Sequence, residues 1–258
     1  MASMRDIKRR KDSIQSTGQI TKAMKLVSTV KLQKAKGRAE NTKPYFDLMY
    51  ETVQSILAKS GHINHKYLKE SESDKKAVIV VTANRGLAGG YNSNITRMII
   101  DEGFTKENTV VYAVGKKGRE LLERKGYEIK ADYSEAINDP IYKDAKEICD
   151  DVLSAFADGE VGEIYLAYTV FKNTVVHEPQ LIRLLPVEAD DAAHETDGSE
   201  ALMTYEPSEE EALDMIIPKY VCSLVYGALI ESVASENGAR MQAMDSATSN
   251  ADDFNSVA

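Results

Sequence analysis

A helical pattern runs from about Ser3 to about Ala58, and a helix of that length cannot be folded away inside a chain of 258 residues. At about 1.5 Å per residue it would measure on the order of 80 Å, well beyond the width of any domain the remaining residues can build. It must protrude. Met4, Ile7, Ile14, Ile20, Met24, Val27 and Val30 recur at spacings of three, four, six or seven, which predicts one narrow apolar stripe. A seam that thin takes one other helix beside it, as in a coiled coil, and leaves most of the circumference to water or to a large partner. Gly18, Gly37 and Pro44 are its weak points, Pro44 the expected kink and Gly61 the expected stop.

The same arm is strongly basic. Its first 43 residues hold 12 Lys or Arg against Asp6, Asp12 and Glu40, in a chain whose net charge is -9. Binding of nucleic acid through phosphate contacts is one reading of such an arm. Against it, residues 5 to 38 contain no aromatic side chain to stack on bases, and the acidic remainder would repel a polyanion. An acidic protein surface fits better, with a solvated helix face as the plain alternative.

Beyond a polar stretch at 62–75, read as a linker with little to bury, the period changes to that of a sheet. Ala77–Thr82, Thr109–Val114, Glu163–Tyr168 and Gln180–Leu185 are predicted strands, with Tyr127–Ala131 a weaker fifth. Helices are expected near Asn92–Glu102, Lys117–Lys125 and Ile141–Ala157. Continuous apolar strands alternating with such helices indicate a mostly parallel α/β sheet covered on both faces, the last strand pairing antiparallel. Residues 188–207 form an acidic connector. Ser208-Glu209-Glu210-Glu211 then reads as a capping box opening a final helix through Leu213, Ile217, Val221, Leu224 and Ala228, with Pro218 and Gly238 as points of bending. From Ala234 to Ala251 this helix turns to Ala, Ser, Gly, Asn and Met, a narrow surface that admits another backbone. The expected segments are a helix over 1–61, an α/β domain over 76–187, the connector over 188–207 and a second long helix over 208–258.

No segment declares a catalytic centre. Thr82–Asn92 is Gly-rich between a strand and a helix, yet matches neither the dinucleotide-binding nor the P-loop spacing, so a tight turn is the better reading. Gly115-Lys116-Lys117-Gly118-Arg119 is likewise read as an exposed turn over an anion site. His62, His65, His177 and His194 have no zinc-like companions, and no nucleophile elbow is present. The two cysteines, Cys149 and Cys222, lie in apolar helical sequence, read as buried reduced thiols of a reducing compartment. With no long apolar run and a charged N-terminus, the chain is expected neither to span a membrane nor to be exported.

Three separated segments resemble the gamma subunit of the rotary F-type ATP synthase. They are Ile7-Lys8-Arg9-Arg10 with Ser13-Ile14, Thr17 and Gln19–Val27; Asn84–Asn92; and Ala234–Met244 with Ala247, Thr248 and Asn250. Ala88 stands where that family usually has Cys, and the redox insertion of the chloroplast form is missing. The resemblance implies a long antiparallel coiled coil of the terminal helices plus a central Rossmann-like α/β domain of about five strands. It implies a rotor: the coil stands in the bore of a hexamer of alpha and beta subunits, and the domain sits against the epsilon subunit and the membrane c-subunit ring. ATP chemistry then belongs to the beta subunits, with no cofactor, metal or catalytic residue in this chain. By match to the family, Lys22, Met24 and Lys25 face an acidic beta-subunit loop, Tyr205 and Glu206 meet the membrane ring, and Arg240 and Met241 belong to the shaft. The implied location is peripheral, on the cytoplasmic face of the cell membrane. The family pattern continues past the match to Asn250 with a basic helical tip that this chain lacks. The expectation is fraying at Met4 and Ile7, weaker torque and a less stable hexamer. A coiled-coil adaptor and a small-molecule enzyme built on the α/β domain are the readings from other classes.

Overall fold

The computed structural model describes residues 4–59, 65–69, 73–187 and 208–257. Two long helices frame it. Helix α1 (Met4–Lys59, 56 residues) runs unbroken through Gly18, Gly37 and Pro44, and the last helix, α5 (Glu209–Val257, 49 residues), runs through Pro218. Ser208 caps α5, its hydroxyl accepting from the Glu211 N–H at 3.2 Å. The contacts between them descend one helix as they climb the other, so the pair is antiparallel. Arg10 lies over the Phe254 ring, Thr21 meets Thr248 at 2.8 Å, Lys25 pairs with Asp245, and Phe46 stacks edge-on against Tyr226 at 6.1 Å.

The face that α1 buries is not the one its large apolar residues trace. Met4, Ile7, Ile20, Val27 and Val30 are exposed, Val30 to 70%. The seam instead follows Gly18, Thr21, Lys25, Ser28, Leu32, Ala35, Phe46, Met49, Val53 and Ile56, where Thr21, Ser28, Leu32, Ala35, Val53 and Ile56 are buried. These positions keep heptad spacing, so the period is right and the face is different. Close approach is the cause. A Cβ on Gly18 would stand 3.3 Å from the Ala251 Cβ, and Leu32 and Ala35 close on the fully buried Ala234. Two backbones this near leave no room for Ile or Val between them, and the branched residues turn outward. Lower down, Val53, Ile56 and Leu57 of α1 and Leu213, Ile217 and Val221 of α5 join a large apolar core.

Between the helices the chain forms a five-stranded sheet in the order β3-β2-β1-β4-β5. Strands β1 (Lys76–Val81), β2 (Thr109–Val114), β3 (Glu128–Asp132) and β4 (Glu163–Phe171) are parallel, and β5 (His177–Leu185) pairs antiparallel with β4. Helices α2 (Tyr91–Asp101), α3 (Lys116–Glu123) and α4 (Tyr142–Ala157) make the crossovers. Alternation along β1 sorts the two faces: Val78 and Val80 pack on Ile95 and Ile99 of α2, while Ala77, Ile79 and Val81 join α4 and α5. The polar stretch after α1 is not the bare linker its composition predicts. His65 and Tyr67 are buried, Tyr67 against Phe156, its carbonyl accepting from the Val187 N–H, with His65 Nε2 3.2 Å from Asp214. The connector over 188–207 lies outside the described residues.

Part of α5 is by length and composition apolar enough to cross a membrane, with a mean hydropathy of 1.5, because so few charges fall within it. In this fold 56% of that window is buried against α1 and the sheet, which is where its apolar surface goes. One charged residue is caught in that burial. Glu231 accepts from the Phe171 N–H, its buried Oε2 has no hydrogen-bond partner among the described residues, and burial holds its carboxyl above the ordinary range despite Lys43 and Lys172. A raised folded pKa means the folded state binds the proton more readily than the unfolded one. Stability is therefore full below the unfolded pKa and falls as pH rises through the folded one. Glu231→Gln is expected to gain about 1 kcal/mol at neutral pH and to flatten this fall, read by urea unfolding between about pH 4 and 8. A variant less stable than the parent at neutral pH would contradict this.

Candidate functional site: a shaft clamped to a sheet

Open α/β sheets bind their ligands in the crevice at the carboxyl ends of the strands, where the strand order reverses. Here that place is between β1 and β4. It is filled by α5. β4 runs on past Ala167, its last residue paired with β1 (to Val80), and at Thr169 its backbone turns to the helix instead. The Thr169 N–H reaches the Ser232 hydroxyl at 3.5 Å, and the Ser235 hydroxyl donates to the Thr169 carbonyl at 3.1 Å. Both serines are fully buried, and the Tyr91 hydroxyl donates to the Ser232 carbonyl at 3.1 Å. Burial raises the Tyr91 phenol, which therefore stays a donor.

The Gly-rich turn after β1 ties its polar groups to neighbouring parts of the α/β domain. The Ala83 N–H donates to Asn92 Oδ1 at 2.8 Å, and Asn84 Nδ2 donates to the Ser134 carbonyl at 2.7 Å. Ala88 and Tyr91 are buried against Ala239 of α5, and Leu87 (φ 61) points into solvent. At the start of α3 the Lys116 N–H goes to Asn84 Oδ1, the Lys117 N–H to the Ala83 carbonyl, and the Gly118 N–H to Thr82 Oγ1. A phosphate site needs such amides free and convergent, and these are already paired inside the protein. Among the described residues no group of three or more His, Cys, Asp or Glu is placed to hold a metal.

The residues singled out from sequence fall into three places. Lys22 is exposed on α1. Met24 is half-buried and helps line a groove of about 680 Å³ between α1, the Arg85–Leu87 turn and α5. Lys25 faces Asp245 across the seam, with both side chains more than a third exposed, a pair worth less than about 1 kcal/mol. Arg240 is held at one end of that groove: it pairs with Glu236 at 2.7 Å, both largely buried, and donates to the Gly86 carbonyl at 3.3 Å. Met241 packs with the Leu32, Ala35 and Ala234 cluster. Tyr205 and Glu206 lie outside the described residues. Sequence reasoning missed Ser232, Ser235 and Tyr91; two serines inside an otherwise apolar helix were the available signal. It also missed His177, which occupies the space that Gly238 leaves on α5, where a Cβ would meet the ring at 2.5 Å. Gly238 is thus a packing notch within an unbroken helix.

A paired shaft packed across the carboxyl ends of an α/β sheet, with the amides at the start of α3 already paired, suits a structural subunit better than an enzyme. The comparisons with known proteins agree. A family model described as ATP synthase matches residues 3–256. The ATP synthase gamma chain of Lachnoclostridium phytofermentans is 66% identical over 260 residues, covering 98% of this chain and 89% of that one. A sodium ion specific ATP synthase gamma chain from Acetobacterium woodii is 40% identical over 268 residues, with coverages of 98% and 89%. Among solved structures, the central stalk and c-ring of the Tetrahymena thermophila mitochondrial ATP synthase gives a TM-score of 0.66 at 26% identity, covering 88% of this chain and 99% of its counterpart. A rotor chain of the Euglena gracilis enzyme, at 16% identity and a TM-score of 0.69, shares the fold. The chain belongs to the ATP synthase gamma-chain family. Its function is that of the central-stalk, rotor subunit, non-catalytic in itself and part of a membrane-associated complex.

Proposed function

We propose that α1 and α5 stand in the bore of an alpha and beta subunit hexamer and carry torque between it and a membrane c-subunit ring, with the epsilon subunit beside the α/β domain. The observation that carries this reading is the single rigid path from shaft to sheet. The two helices share one seam, and α5 is bonded to β4 through Ser232 and Ser235. Torque applied to the domain then reaches the far end of the shaft without passing through a loop. An asymmetric shaft touches each beta subunit differently and so favours a different open or closed state at each, a population shift set by differential contacts.

The exposed Lys22 and the nearby Met24 and Lys25 are the proposed contacts to an acidic loop of the beta subunits. Lys22 is the better placed of the two lysines, since Lys25 already has Asp245. Tyr205 and Glu206 are the proposed contacts to the ring, and Arg240 and Met241 stiffen the shaft. The domain segments over 1–61, 76–187, 188–207 and 208–258 are proposed as shaft, rotor body, connector and shaft. The complex would sit at the cytoplasmic face of the cell membrane. Lys22→Glu is expected to weaken capture of the chain by purified alpha and beta subunits roughly tenfold at low salt, the gap narrowing as salt is raised. Capture equal to that of the parent at every salt concentration removes Lys22 from the interface. Retention of the parent chain by DNA in place of alpha and beta subunits would instead support the adaptor reading.

A further inference from the structure

Next to the serine clamp, α5 leaves a cavity of about 570 Å³, bounded by Gly89 and Gly90 at the start of α2, by Thr169 and His177 of the β4 and β5 hairpin, and by Ser246 of α5. Its volume is in the range of small-molecule sites, and it lies near the strand ends where open α/β sheets hold their ligands. The turn that enters it is built without bulk: Gly89 has φ 56, and a Cβ there would stand in open space.

The walls carry polar atoms with nothing to bond. Among the described residues seven buried side-chain nitrogen or oxygen atoms have no hydrogen-bond partner. Three of them, Thr169 Oγ1 and both ring nitrogens of His177, belong to residues lining this cavity. Thr169 is 3% exposed, and its backbone N–H and carbonyl are already taken by Ser232 and Ser235. Alternation along β4 puts its side chain on the face of Tyr165 and Ala167, the face that packs on α2, and so toward the cavity. Unpaired buried polar atoms cost free energy, and three gathered on one cavity call for a polar partner entering from solvent. The helix sets the sign of that partner. α2 opens on Gly90 with no side-chain cap and no acidic residue in its first turn, so its positive end is not offset locally. Asp245 also lines the cavity, but it is paired with Lys25.

The geometry points to this cavity as a binding site for a phosphate-class oxyanion, either inorganic phosphate or the phosphoryl end of a nucleotide. The start of α2 supplies positive potential, the Thr169 hydroxyl and a His177 N–H donate to the anion's oxygens, and the Ser246 hydroxyl closes the α5 side. A bound anion touches α2, the β4 and β5 hairpin and α5 at once, and so ties the α/β domain to the shaft beside the serine clamp. The site goes beyond the rotor reading and does not depend on it.

The test uses the full-length chain with its four histidines labelled for NMR, the His177 signal being assigned by its loss in His177→Asn. Inorganic phosphate is expected to move the His177 signal saturably, while sodium chloride at the same ionic strength leaves it in place. Movement by phosphate identifies the free anion as sufficient; movement by ADP alone identifies the nucleotide as the source. Thr169→Val removes the unpartnered hydroxyl and keeps the side chain's shape, so it is expected to fold as the parent does and to bind about tenfold more weakly. Should that variant unfold, the titration of the parent decides the matter. A His177 signal that neither phosphate nor ADP moves would overturn the proposal, and phosphate held only by the basic arm of α1 gives that result. So would a shift that sodium chloride reproduces, or a folded Thr169→Val chain that binds with the parent's affinity.

Discussion

Ala234→Asp is expected to open the shaft. Ala234 is fully buried in the seam between α1 and α5, against Leu32 and Ala35. A carboxylate there is buried among Leu32, Ala35, Val233 and Met241, and it is larger than the methyl group it replaces. The cost of burying such a charge unpaired is several kcal/mol, and on the order of 4 kcal/mol is the expected loss. The helices relieve it by separating, since the seam above this point holds mostly small residues, the Thr21 and Thr248 hydroxyls, Met244, a solvent-exposed ion pair and the contact of Arg10 with Phe254. The α/β sheet has its own core and is expected to survive. Limited proteolysis should therefore cut within the first turns of α1 while the domain stays protected. Ala234→Ser is the control, expected to cost about 1 kcal/mol and to leave the proteolysis pattern unchanged.

Gly115→Ala is expected to damage the other end of the path, the sheet itself. Gly115 follows β2 at φ 115, a conformation that strains any side chain, and a Cβ there would stand 2.1 Å from the Thr82 carbonyl oxygen. That carbonyl belongs to backbone continuous with β1 and cannot move aside. The adjacent Gly118 is no freer, because its Cβ would meet Thr82 Oγ1 at 2.6 Å. Strain and overlap together set an expected loss of about 3 to 5 kcal/mol by urea unfolding. Gly103→Ala isolates the strain. Gly103 also has a positive φ, of 81°, but nothing lies within 4 Å of its Cβ position, so about 1 kcal/mol is expected there. Equal losses at both glycines would show that the contact with Thr82 does not matter.

The sheet was legible because its strands are buried on both faces: Val78 to Val81 and Thr109 to Val114 are continuous runs with no other stable use. The long helices were legible from period and length. The face on which they meet was not. Hydrophobicity points to Ile20, Val27 and Val30, which are exposed, because burial between closely approaching backbones selects for small volume ahead of apolar character. Gly18, Thr21, Ser28 and Ala35 carry that signal only when set beside Ala234 and Ala251, far away at the other end of the chain. The clamp was hidden for a related reason. Ser232 and Ser235 bond to the β4 backbone, and backbone partners leave no trace in the sequence. His65 and Tyr67 read as linker in the sequence because two buried side chains do not alter the composition of a polar stretch.

The displaced apolar stripe is itself informative. Leu26, Val27 and Val30 stand in solvent on an otherwise basic helix, an expensive arrangement for a helix with no further partner. Within the proposed rotor those residues lie in the hexamer bore with Lys22 beside them. The groove at Met24 and Arg240 adjoins the same surface.

The central claim is that this chain turns as one body when ATP is hydrolysed. Alpha and beta subunits assembled with the full-length chain, carrying a Lys106→Cys biotin label on the exposed face of the α/β domain, should be fixed to a surface through the beta subunits and viewed by a bead on the biotin. Addition of ATP is expected to give sustained rotation in one direction, and Ala234→Asp to slow or stall it while hydrolysis continues. Full ATP hydrolysis with a stationary bead on the parent chain, its label and attachment intact, would contradict the rotor reading directly.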